Sequence, residues 1–118
     1  MHYRGYKDLI VWQKSVDFVV EIYSIIKGFP DFERFALCQQ LRRAVVSIPA
    51  NIAEGYCRNH KKEYQQFLGI AYGSLAEVET FLEIARRLGY ISELEYNKLD
   101  SDKEEIRKIL VTLIRKLS

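Results

Sequence analysis

Proline and glycine are scarce in this chain of 118 residues, with two of the first and six of the second. Proline removes a backbone donor and glycine adds backbone freedom, so little here interrupts long helices. Cysteine is equally rare. Cys38 and Cys57 show no metal-type spacing and read as two buried, reduced thiols. Of the two histidines, His2 sits at the terminus and His60 in a turn. Without a Glu-x-x-His pair, a di-iron carboxylate bundle has no ligands. There is no GK[ST] phosphate loop and no glycine-rich nucleotide fingerprint. Glu77, Glu79 and Glu83 share a helix at mixed spacing, which suits a solvated face better than a paired acid and base. The expectation is no enzyme: no catalytic residue, no cofactor and no metal. No apolar run approaches the ~20 residues that span a bilayer. The amino terminus, MHYRGYKDLIVW, lacks the apolar stretch and small cleavage residues of a signal peptide. These absences predict a cytoplasmic protein.

What the chain does have is helical periodicity. At 48% apolar and 29% charged residues, it reads as one globular domain over 1–118, large enough for a core without disulfides or metal. Four amphipathic helices are predicted, at about 9–27, 32–57, 61–88 and 93–117. Short loops between them imply an all-α, antiparallel, up-down-up-down four-helix bundle. No strand pattern competes.

The first helix carries two apolar stripes on nearly opposite faces. One is Leu9, Trp12, Val16, Val19, Tyr23 and Ile26; the other is Val11, Phe18, Ile22 and Ile25. A helix covered on one side needs a single stripe, so the second is assigned to a neighbouring subunit. Gly28 suits a left-handed position after this helix, and Pro30 stops it. In the third helix Tyr64, Phe67, Leu68, Ala71, Leu75, Val78, Leu82 and Ala85 mark the inner face. Gly69 and Gly73 leave a smooth patch, and Gly89 is a C′ candidate. Ser92 and Glu95 open the fourth helix as a capping box. Leu99, Ile106, Ile109, Leu110, Leu113 and Leu117 form its buried stripe.

Residues 41–58, LRRAVVSIPANIAEGYCR, are the most distinctive run. Arg43, Ser47, Asn51, Glu54 and Arg58 fall on one helical face, and Leu41, Ala44, Ile48 and Ile52 on another. Pro49 deprives the Val45 carbonyl of its partner, so helix 2 is expected to bend there. The stripe Arg43, Ser47, Asn51 and Glu54 reads first as a structural hydrogen-bonded network serving that bend. Its other reading is a phosphate site.

The run RRAVVSIPANIAEGYCR resembles the signature of a bacterial protein family encoded by intervening sequences inside large-subunit ribosomal RNA genes. DLIVWQKS (8–15), FLGIAYGSLAEVET (67–80) and RRLGYI (86–91) are similar to the same family in the same order. The likeness covers about residues 6–117. The position of His60, commonly serine in the family, departs from it. The family is related to the accessory protein of diversity-generating retroelements, which works with a reverse transcriptase and RNA. The resemblance implies a homopentamer of four-helix bundles and RNA association. It implies no known activity.

Charge is unevenly placed. Residues 34–62 hold six basic groups against one acidic, and 63–105 hold four against ten. The cluster Arg34, Arg42, Arg58, Lys61 and Lys62, flanked by Tyr56 and Tyr64, is the nucleic-acid candidate. Read from the residues alone, a solvated basic face fits better, since the overall charge is nearly balanced. Repetition around a ring would turn modest patches into one strong field. The leading expectation is a non-enzymatic, self-assembling, RNA-associated protein. The alternative is an oligomeric scaffold that docks a protein partner and has no nucleic-acid role.

Overall fold

The computed structural model describes residues 5–118; His2 lies outside them. Its helices are α1 (Ile10–Ile26), α2 (Leu37–Cys57), α3 (Lys61–Arg87) and α4 (Glu93–Lys116), with short 3-10 turns at Gly5–Asp8 and Asp31–Glu33. No strand occurs among the described residues. The helices pack in a cycle, α1 on α2, α2 on α3, α3 on α4 and α4 on α1, with α2–α3 the most extensive contact. Cross-helix pairs show that neighbours run antiparallel. Lys14 meets Glu105 and Glu21 meets Lys98 between α1 and α4; Arg43 meets Glu77 and Ser47 meets Ser74 between α2 and α3. The result is an all-α, antiparallel four-helix bundle measuring 42 × 25 × 24 Å.

Each helix contributes one stripe to the core at the spacing of helical turns. Leu68, Ala71, Leu75, Val78, Leu82 and Ala85 line the inner side of α3, and Leu99, Ile106 and Leu110 that of α4. Burying a side chain such as Phe18 or Leu110 contributes ~1.5–3 kcal/mol. The core position between Leu99 and Ile106 belongs to Lys103, which is 3% exposed. Its ammonium reaches the edge of the bundle, where it meets Glu79 and Asp100.

On α1 the stripe expected to face a neighbour faces inward. Val11, Phe18 and Ile22, expected at a subunit interface, are buried in this chain's own core, and Ile25 is half-buried against it. Of the other stripe, Ile26 is also in the core and Leu9, Trp12 and Val19 pack against it; the outward apolar residues are Val16, Val20 and Tyr23, with Val20 65% exposed. Periodicity locates stripes but gives no sign for which one faces in. Ser15 hides the inner stripe, because it is buried between Val11 and Phe18 and donates to the Val11 carbonyl at 2.6 Å.

Local signals explain the helix ends. Gly89 takes φ 78°, and the N–H groups of Gly89 and Tyr90 donate to Arg86 and Ala85 carbonyls, a Schellman stop. Ser92 and Glu95 form the reciprocal capping box. Three expectations are corrected. Gly28 is not left-handed. Helix 2 begins at Leu37 rather than near 32, because Asp31–Glu33 forms a separate turn and the Glu33 carboxylate accepts the Leu37 N–H. Asn59 takes φ 53° to end α2, and His60 occupies the N-cap of α3 without a side-chain bond. Of the two thiols, Cys38 is buried but Cys57 is exposed.

Candidate nucleic-acid interface

The α2 helix runs unbroken through Pro49, whose ring is buried. Its polar stripe lies along α3. The Asn51 amide donates to the Ser47 carbonyl at 2.8 Å and to the Ser47 hydroxyl at 2.9 Å, and that hydroxyl meets Ser74 at 2.8 Å. Asn51 therefore serves the Ser47 carbonyl, not the Val45 carbonyl that Pro49 deprives. Ion pairs bracket this centre, Arg43 with Glu77 at 2.9 Å and Arg58 with Glu54 at 3.0 Å. With its arginines engaged by carboxylates, the stripe joins two helices and offers little to a phosphate.

The expected basic cluster is not one site. Arg34 and Arg42 stand where α1 turns into α2, whereas Arg58, Lys61 and Lys62 stand where α2 turns into α3. Arg42 and Arg58 are separated along α2 by about 24 Å at ~1.5 Å per residue. Sequence proximity concealed this, since a helix carries its two ends to opposite ends of a bundle.

At the α2–α3 end the structure adds residues that sequence reading did not assign. The Gln65 side chain donates to the Ile114 carbonyl at 3.2 Å and to the Ser118 hydroxyl at 2.8 Å, fixing the last turn of α4 beside the first of α3. Arg115 and Lys116 are thereby brought to the same end as Lys61 and Lys62. All four are exposed, and none makes an ion pair among the described residues. The first-turn N–H groups of α3 add partial positive charge. Glu63 and the paired Glu54 are the acids nearby. Arg58 also lies over the Phe67 ring, 5.1 Å from its centroid.

Between the α2–α3 turn and the end of α4 is a groove of about 310 Å³ lined by Tyr56, His60, Lys61, Tyr64 and Leu117. The tyrosine rings meet edge to face at 5.8 Å. The Tyr64 hydroxyl is buried without a hydrogen-bond partner among the described residues, and burial pushes its pKa up.

The flanks are the opposite. Lys14, Arg43, Arg86, Arg87, Lys98, Lys103 and Arg107 all engage carboxylates. The three acids of α3 are among the partners; Glu77 and Glu79 are exposed, as the solvated-face reading expects, and each also holds a cation. Glu77 holds Arg43 and Glu79 holds Lys103. Glu83 accepts from Arg86, Arg87 and Tyr96, and the two arginines lower its pKa to about 2. Burial alone would lower the Lys103 pKa, but hydrogen bonds to Glu79 and Asp100 outweigh it and the net direction is up. Among the described residues, no three His, Cys, Asp or Glu side chains gather as a metal-binding group. No helix of the described residues is long and apolar enough to cross a membrane.

These features define a helical bundle with self-compensated flanks and a cationic end. The sequence matches the 23S rRNA-intervening sequence protein family over residues 7–112, and the chain belongs to that family. It is also similar in structure to a protein of unknown function from the S23 ribosomal protein family of Bacteroides thetaiotaomicron. That likeness has a TM-score of 0.83 at 31% identity, covering 89% of this chain and 98% of the other. No curated protein matches the sequence.

Proposed function

We propose that this is a non-enzymatic, cytoplasmic, self-assembling protein that associates with RNA through the end formed by Lys61, Lys62, Arg115 and Lys116. The observation carrying this reading is the contrast in pairing. Seven cations along the flanks are matched by carboxylates, whereas Lys61, Lys62, Arg115 and Lys116, gathered at one end, have no ion-pair partner among the described residues. Unpaired surface cations attract phosphate and release counterions on binding. Tyr56 beside them supplies an aromatic edge for an unstacked base. Self-assembly uses the outward apolar residues of α1 around Val16 and Val20, and five copies is the number the family resemblance implies. A ring multiplies a four-cation patch into an extended field.

The test is RNA binding across a salt series, with assembled mass measured by light scattering on the same sample. Replacing Lys61 and Lys62 by Gln removes two phosphate contacts. At a slope of roughly 0.7 per contact for single strands, the salt dependence should flatten by about 1.4. An assembly that ignores RNA at low salt refutes the proposal. It would leave the second reading, a scaffold for a protein partner, which the exposed Phe32, Phe35 and Leu94 (76, 78 and 81% exposed) favour.

A further inference from the structure

The other end of the bundle holds a larger groove, about 440 Å³, between the end of α1, the connecting loop and the start of α2. That size falls within the range of small-molecule sites, ~300–1,000 Å³. Lys27, Arg34 and Arg42 line it, and none has an ion-pair partner among the described residues. Asp31 is the acid in the lining. Glu33, one residue beyond Phe32, is occupied by the Tyr90 hydroxyl at 2.8 Å and the Leu37 N–H at 3.3 Å. Arg42 donates to the Arg34 carbonyl at 3.0 Å, which holds its guanidinium in place and leaves its remaining donors unassigned. The floor is apolar. Cys38 lines it as a neutral thiol, since burial raises its pKa, and so does not repel an anion. Tyr23 contributes a ring that is 40% exposed.

We infer that this groove binds the terminal phosphate of a 5′-phosphorylated nucleotide, whether free or at the end of an RNA. Three cations against Asp31 in the lining and the neighbouring Glu33 carboxylate, which only neutral donors hold, leave the groove net positive. A phosphomonoester carries about −1.5 to −2 at pH 7, while an internal phosphodiester carries a single charge. Arginine guanidinium groups present planar, paired donors that fit phosphate oxygens. The Tyr23 ring gives the nucleobase a surface to rest on. The site is at the opposite end from Lys61 and Lys62, so it stands whether or not that end contacts RNA.

The experiment is calorimetric titration of the full chain with adenosine 5′-monophosphate and with adenosine. The monophosphate should bind at least tenfold more tightly, and its advantage should shrink below about pH 6 as the phosphate takes up its second proton. Lys27→Gln with Arg34→Gln should remove most of that advantage. Arg42→Lys, which keeps a donor toward the Arg34 carbonyl, should weaken it without unfolding the chain. Lys61→Gln with Lys62→Gln should leave it unchanged. Equal binding of nucleotide and nucleoside, or loss of the difference only in the Lys61/Lys62 variant, would overturn the assignment. A parallel comparison of RNA with a 5′-phosphate and a 5′-hydroxyl separates the sources. A preference for phosphorylated RNA that Lys27→Gln/Arg34→Gln abolishes assigns the groove to RNA ends. Monophosphate binding without such a preference assigns it to free nucleotides.

Discussion

At Gly55 the α2 backbone comes tightly against α3, and its replacement by alanine tests the packing directly. A Cβ built at Gly55 would lie 2.6 Å from the Phe67 Cβ and 3.2 Å from a Tyr64 ring carbon. Carbon atoms prefer ~3.5–4.0 Å. The Phe67 Cβ is fixed to its backbone and cannot rotate away, so the two helices must separate locally by about 1 Å. Overpacking of this kind costs ~1–3 kcal/mol. Alanine returns up to ~1 kcal/mol through helix propensity. The net expectation is a loss of up to about 2 kcal/mol, or a fall in Tm of up to roughly 8 °C for a chain of this size. Gly73 is the internal control. A Cβ there meets nothing within 4 Å, so Gly73→Ala should stabilise by about 0.5–1 kcal/mol. Urea denaturation followed by circular dichroism measures both. The same substitution should change stability in opposite directions at the two sites. If Gly55→Ala proves as stable as Gly73→Ala, the close approach described for α2 and α3 is wrong.

Further outcomes follow from other elements. Ser92→Ala removes the capping box of α4 and should cost about 1 kcal/mol in the same assay. Glu83 titrates at about 2 when folded against an ordinary 4.5, so its charge stabilises the fold fully above pH 4.5. That contribution is lost as pH falls toward 2. Glu83→Gln should therefore lower stability at neutral pH and flatten the acid limb of the stability–pH curve over that window. Lys103→Met keeps an apolar stem in the core and returns the half-exposed Glu79 and Asp100 to water; it should stay within about 1 kcal/mol of the parent. Lys103→Ala also empties core volume and should cost about 2–3 kcal/mol.

The four helices were legible because a period of 3.6 residues is written into each of them, most clearly in α3, where the predicted stripe is buried almost residue for residue. Gly89 and the Ser92/Glu95 pair were legible because their signals are local. What was not legible depends on the third dimension. Lys103 occupies a core position that its charge disguised, since the long stem is buried while the ammonium reaches acids on two helices. The inward stripe of α1 was concealed by Ser15, whose hydroxyl is satisfied by its own helix. The basic cluster dissolved for a geometric reason. Arg42 and Arg58 are close in sequence yet lie at opposite ends of α2, while Lys61 and Lys116 are far apart in sequence and become neighbours because α3 starts where α4 stops. Charge counted along a chain does not report charge gathered at one end of a bundle.

The unequal exposure of the two thiols provides a native labelling handle. Cys38 is shielded, and its burial disfavours the reactive thiolate. Cys57 is exposed and directly precedes Arg58. A maleimide dye added to the unaltered protein should attach at Cys57 alone. The chain would then carry one reporter at the cationic end, where the RNA association proposed above would change its emission, and about 22 Å of helix (~1.5 Å per residue) would separate it from Arg42 in the groove at the other.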